Sequence, residues 1–109
     1  MLMFHLFQHI PAVTPREAMS SVVTAHAVLI DVRTAREYQS GHAAGARHIP
    51  LENVGEYVEE LKQKKEVYVI CQSGGRSAEA VLFLCKQGVN AINITGGTTL
   101  WKLDGLAME

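Results

Sequence analysis

The chain has 109 residues, 48% of them apolar and 19% charged, with a formal net charge of −1, which suits one globular domain spanning residues 1–109 around one core. Near-neutral charge argues against a nucleic-acid or anionic-membrane partner, since both need clustered positive charge, and no run approaches the ~20 apolar residues of a membrane span. Two cysteines are too few for a disulfide framework or a zinc site.

The N-terminus lacks a basic segment, a long apolar run and a cleavage signal, so it reads as mature protein entering a first strand at Phe7–Ile10. Thr14-Pro-Arg-Glu17 is a capping box with proline at the first helical position and predicts a helix to about Val23. Ala27–Asp31 is an apolar run of strand length. Thr34-Ala-Arg-Glu37 is a second capping box, and Gly41 ends that short helix. Ala46–Ile49 reads as a short strand stopped by Pro50. Asn53 is the expected cap of a helix whose apolar face is Val54, Tyr57, Val58 and Leu61. The basic cluster Lys62–Lys65 closes that helix and complements its dipole.

Val67–Ile70 is the next strand, and a helix is predicted from Ser77 to Gln87 with Ala78, Val81, Leu82 and Cys85 as its apolar stripe. Gly88 stops it. Ala91–Ile94 is the last strand, and Gly96-Gly97 turns the chain into a short closing segment, Thr98–Leu103, that carries Trp101. Strands alternating with helices predict an α/β domain, about five mostly parallel strands with helices on both faces. In such sheets the active site lies beyond the carboxyl ends of the strands.

One cysteine falls there. Cys71-Gln-Ser-Gly-Gly-Arg76-Ser77 joins a strand end to a helix start. Two glycines let the backbone curl, so that its N–H groups form a cradle for an anion. A thiolate in that cradle is stabilised by the amides, by the helix N-terminus and by Arg76. Cys85 lies on the apolar stripe and reads as core. The two sulfurs should stand ~12 Å or more apart, beyond disulfide reach. A free reactive thiol suits a reducing compartment, hence a cytoplasmic location.

These residues resemble the rhodanese family. Leu29-Ile-Asp-Val-Arg33, Arg36-Glu-Tyr38, Gly41-His42, Gly45-Ala46 and Ile49-Pro50 are similar to its first signature. The Cys71 loop is similar to its active-site loop, and Gly96-Gly97, Trp101 and Gly105 to its closing signature. Ala43 and Ala44 stand where isoleucine and proline are usual, and Ala107 where proline is common; these changes affect loop stiffness and remove no chemical group. The resemblance implies a single-domain thiosulfate sulfurtransferase. Cys71 would take the outer sulfur of thiosulfate or a similar donor, release sulfite, and pass the sulfur from a persulfide to a thiophilic acceptor such as cyanide, a thiol or a protein.

It also implies roles for the loop. The amides of Gln72, Ser73, Gly74, Gly75, Arg76 and Ser77 would surround the terminal sulfur, with Gly74 and Gly75 supplying positive φ and Arg76 holding an anionic donor. Asp31 is a supporting candidate, holding the loop or Arg76 through hydrogen bonds, or else only bonding backbone. Arg33 and Arg36 would add positive potential at the mouth or form surface ion pairs with Glu37. His42 is expected to make a turn contact, and Trp101 to anchor packing. No cofactor beyond the covalent persulfide is implied, no metal site is expected, and no nucleic acid or membrane partner is called for.

Two other readings compete. Cysteine phosphatases and arsenate reductases also use a cysteine and an arginine around an amide cradle, with five residues between them. Only four separate Cys71 from Arg76. The loss of ~3.5 Å of contour suits a single sulfur better than a tetrahedral oxyanion, and Gln72–Gly75 holds no general acid. The other reading is a non-enzymatic module, either a regulatory binding module, which the presence of Cys71 disfavours, or a sulfur carrier, which would form the persulfide but pass it to a protein partner. Loading of Cys71 with sulfane sulfur separates the phosphatase and binding-module readings from sulfur transfer.

Overall fold

Each strand alternates its side chains between two apolar layers, because successive residues of an extended chain point to opposite faces. In the computed structural model, which describes residues 10–109, five strands form one all-parallel sheet: β1 (Ala12–Val13), β2 (Val28–Asp31), β3 (Arg47–His48), β4 (Val67–Ile70) and β5 (Ala91–Ile94), ordered β1-β5-β4-β2-β3. β4 and β5 are buried throughout, as expected of strands covered on both faces.

On one face, Ile30, Val67, Val69 and Ala91 pack with Leu61, Val81 and Leu84. These last belong to α3 (Val58–Lys62) and α4 (Gly75–Lys86). On the other face, Leu29, Tyr68, Ile70 and Ile94 pack with Ala18 and Trp101, from α1 (Pro15–Ala25) and α5 (Gly97–Leu103). A short α2 (Ala35–Gln39) lies between β2 and β3. Both predicted capping boxes form, on Thr14 with Glu17 and on Thr34 with Glu37. Trp101 is buried and donates its indole N–H to the Ala107 carbonyl at 2.9 Å, the packing role expected for it.

Several sequence readings shift. Phe7–His9 of the expected first strand lie outside the described residues, and the first described strand is Ala12–Val13. The helix expected from Asn53 begins instead as a 3₁₀ segment, Leu51–Tyr57, and becomes α-helical only at Val58. Gly55 lies in that stretch and weakens regular helix, and Asn53 bonds Glu56 rather than capping. α4 starts at Gly75, two residues before Ser77, so Arg76 sits in its first turn. Its buried stripe is Ser77, Ala80, Val81 and Leu84, about one residue out of phase with the predicted one. Ala78, Leu82 and Cys85 are half-buried flanks, because the apolar sequence is wider than the face the sheet covers.

Candidate active site

The carboxyl end of the central strand β4 delivers Cys71 into the turn that starts α4. The residue is 1% exposed. Its sulfur accepts the Gly74 N–H at 3.1 Å and the Ser77 hydroxyl at 3.2 Å. Gly74 makes this geometry with φ +109°, the left-handed region glycine enters without strain. Gly75 has no positive φ: the expectation that both glycines supply one holds only at Gly74, because Gly75 is already the first helical residue. Burial pushes the Cys71 thiol up. The Ser77 hydroxyl, then the amides of Ser77, Gly74 and Ser73, outweigh it and leave the thiol below its ordinary value. The cradle therefore favours the charged form of sulfur.

The loop is pinned from two sides. After β5, the N–H groups of Thr98 and Thr99 donate to the Cys71 and Gln72 carbonyls at 2.8 and 3.0 Å, and the Thr98 hydroxyl adds a bond to the Cys71 carbonyl at 2.9 Å. This close approach explains the second glycine of Gly96-Gly97. A Cβ on Gly97 would stand 2.5 Å from the Cys71 carbonyl oxygen, and the residue has φ +57°. The Gln72 side chain donates to Thr99 at 3.0 Å, so the side chain holds the loop.

From the other side comes a buried ion pair. Asp31 ends β2, and Arg33 stands two residues on. The Arg33 guanidinium grips both Asp31 oxygens at 2.9–3.1 Å and also donates to the Gln72 side-chain carbonyl at 3.0 Å and to the Gly41 carbonyl at 2.8 Å. Asp31 thus supports the loop through Arg33, with no contact to Arg76. Arg33 is buried, which removes the expectation that it forms a surface pair with Glu37. An acid and a base at i and i+2 on a strand end share a face, and that spacing was the available signal. Arg36 is exposed on α2 with no partner among the described residues, and the structure brings it to none of the loop groups.

Arg76 turns toward α2. Its two terminal nitrogens donate to the two Glu37 oxygens at 2.8 Å each. Glu37 also accepts the Thr34 N–H as the far end of its capping box, and the carboxyl is pulled from 4.5 to about 2, first by Arg76 and next by that amide. Arg76 is raised by Glu37 foremost and by the Cys71 thiolate only in lesser part. Sequence reasoning named Glu37 only as a capping residue and a partner for Arg33 or Arg36, not for Arg76, and named Ser77 only for its amide, not its hydroxyl. The contact between Arg76 and Glu37 acts across 39 positions of chain and leaves no local trace. His42 makes the expected turn contact: it stacks on Tyr38, with ring centroids 3.7 Å apart, and shares a hydrogen bond with the Tyr38 carbonyl.

Residues 14–104 match the family of the rhodanese-like domain. The thiosulfate sulfurtransferase GlpE of Actinobacillus succinogenes is 35% identical over 98 residues, covering 89% of this chain and 88% of that protein. YqhL of Bacillus subtilis, described as uncharacterized, is 42% identical over 76 residues; the match takes in 69% of this chain and 60% of YqhL. Among solved structures, a rhodanese-related protein of Thermoplasma volcanium superposes with a TM-score of 0.82 at 28% identity, over 91% of this chain and 97% of that one.

Proposed function

The chain belongs to the rhodanese-like domain family, and from that premise we propose that it is a sulfurtransferase acting through a persulfide on Cys71. The donor we propose is thiosulfate or a similar sulfane-sulfur anion. The Cys71 thiolate attacks the outer sulfur. A bond forms between Sγ and that sulfur, the bond to the inner sulfur breaks, and its electron pair leaves on sulfite. A thiophilic acceptor (cyanide, a small thiol or a protein thiol) then attacks the terminal sulfur and returns the Cys71 thiolate, which implies ping-pong kinetics. Ser77 and the amides of Ser73, Gly74 and Ser77 stabilise the negative sulfur in both states, and Arg76, held by Glu37, fixes the first turn of α4 beside them.

The observation that carries this reading is the donor set on the sulfur, the Gly74 N–H and the Ser77 hydroxyl. Together with the amides of Ser77 and Ser73, it outweighs the cost of burying a thiolate. Donors fixed before the reaction need no rearrangement as charge moves. No helix among the described residues is long and apolar enough to cross a membrane. A reactive thiol works best where thiols stay reduced, so we place the protein in the cytoplasm.

The test is intact-mass measurement after incubation with thiosulfate. A gain of one sulfur atom on Cys71, removed by cyanide, is expected. An unchanged mass at saturating thiosulfate, with Cys71 still alkylatable, would sink the proposal.

A further inference from the structure

A groove of about 470 Å³ runs between the 3₁₀ segment and α4, floored by Leu51, Val54, Ala80 and Phe83 and rimmed by Glu52 and Glu79. It contains no residue of the Cys71 loop. Phe83 is 40% exposed. Gly55 keeps the opposite wall bare: a Cβ there would lie 3.8 Å from the tip of the Phe83 ring. Glu52 and Glu79 are exposed and take part in no ion pair among the described residues.

Arg76, Ala80 and Phe83 follow the i, i+4, i+7 spacing and share one face of α4. Ala80 stands about 6 Å along the helix axis from Arg76. The groove is thus an apolar, acid-rimmed extension of the mouth of the sulfur site. Its charge is opposite to what the anionic donor needs, so it cannot serve the loading step. Cyanide or a one- or two-carbon thiol at Cys71 is too short to fill a groove that starts about 6 Å along the helix. A polypeptide can reach both, since each extended residue spans ~3.3 Å.

We propose that this groove docks the sulfur acceptor, and that the acceptor is a cysteine-bearing protein segment with a bulky apolar side chain flanked by lysine or arginine a few residues from its thiol. The inference rests on the sulfurtransferase reading. The apolar side chain covers Phe83 and Val54, the basic residues meet Glu52 and Glu79, and the cysteine reaches the persulfide beside Arg76. The acceptor thiolate attacks the terminal sulfur of Cys71. The new persulfide forms on the acceptor, the bond to Sγ breaks, and its electron pair stays on Cys71.

The probes are two short synthetic peptides, each with one cysteine three residues from a leucine. The leucine is flanked by lysines in one and by glutamates in the other. With Cys71 preloaded from thiosulfate, the lysine peptide is expected to take the sulfur about tenfold faster at low ionic strength. That advantage should fall toward one in Phe83→Ser and in the double variant Glu52→Gln, Glu79→Gln, while loading by thiosulfate stays unchanged. Equal rates for the two peptides, or an advantage surviving both variants, would overturn the proposal. So would a dimer of the native chain that Phe83→Ser converts to monomer, since the groove would then belong to a second copy. Calorimetric binding of the same peptides with serine in place of cysteine tests the groove even if Cys71 never loads. Failure to load strikes the sulfurtransferase reading, and failure to bind strikes the groove.

Discussion

The Arg76 guanidinium and the Glu37 carboxylate meet fork to fork, two bonds of 2.8 Å each, and so tie the first turn of the cysteine helix to the cap of α2. Arginine rather than lysine suits this place because its planar fork matches a carboxylate. The pair is partly open to water, at 38% and 31% side-chain exposure, so solvent screens it and its worth stays near the upper end for surface pairs.

Glu37→Gln is expected to lower stability by about 1 kcal/mol at neutral pH. The pH dependence has a definite sign. The folded carboxyl lies at about 2 and its ordinary value is 4.5, so the folded state gains from ionisation. That gain is complete above the ordinary value and is lost as pH falls from there toward about 2. Urea unfolding of native chain and variant between pH 7 and pH 3 should give a gap that is constant above pH 5 and narrows below. A gap that widens with acid would be wrong in sign and would remove this account.

Asp31→Asn attacks the other support. It leaves the buried Arg33 charge without its counter-ion, which costs about 3–5 kcal/mol in comparable sites. Urea denaturation should show most of that loss. Because Arg33 also holds Gln72, sulfur loading should slow in whatever fraction stays folded. A loss under 1 kcal/mol would mean that water enters and solvates the Arg33 charge.

Gly97→Ala tests the backbone approach. The new methyl group would collide with the Cys71 carbonyl oxygen at 2.5 Å and with the Gln72 carbonyl at 2.7 Å, and neither neighbour is a flexible side-chain end. The strain should cost about 2 kcal/mol or more and displace the loop, so thermal unfolding and sulfur uptake should fall together. Unchanged values of both would show that the turn can relax.

What was legible in the sequence follows from the range of each signal. The capping boxes at Thr14 and Thr34 are contacts over three residues, and both appear as read. Strands β4 and β5 are short apolar runs with no competing pattern. The cysteine turn is a local arrangement of glycines before a helix, and the Gly74 N–H does face the sulfur. The partners of Arg76 and Gln72 are set by which loops the sheet order brings side by side, and no spacing encodes that. The phase of α4 also escaped, because apolar residues occupy more of its circumference than the sheet covers, and only packing selects among them.

The two cysteines should separate cleanly. Cys71→Ser is expected to abolish sulfur transfer with the fold intact, since a hydroxyl is too weak an acid for this cradle to ionise. Cys85 is half-buried and packs beside the core, so Cys85→Ala should keep most activity and cost on the order of 1 kcal/mol. Thiosulfate:cyanide assays with thermal unfolding check both. Equal loss of activity in the two variants would end the assignment of a single nucleophile.

The last prediction concerns which donor sets the acidity of Cys71. Burial raises the thiol, and the Ser77 hydroxyl is the foremost of the groups that lower it, ahead of the amides of Ser77, Gly74 and Ser73. Arg76 bears positive charge nearby, but its fork is engaged by Glu37. Ser77→Ala removes a donor from the thiolate and leaves the burial in place, so the pKa of Cys71 must rise. Arg76→Ala removes only a charge already compensated, so the rise should be smaller. The measurement is the rate of iodoacetamide alkylation against pH, read at each cysteine by peptide mapping. In the native chain the Cys71 midpoint should lie below the ordinary thiol range. The Ser77→Ala midpoint should move to higher pH by more than the Arg76→Ala midpoint. The reverse order would assign the stabilisation to the arginine, and a native midpoint at or above the ordinary range would leave the proposed persulfide chemistry without an activated sulfur.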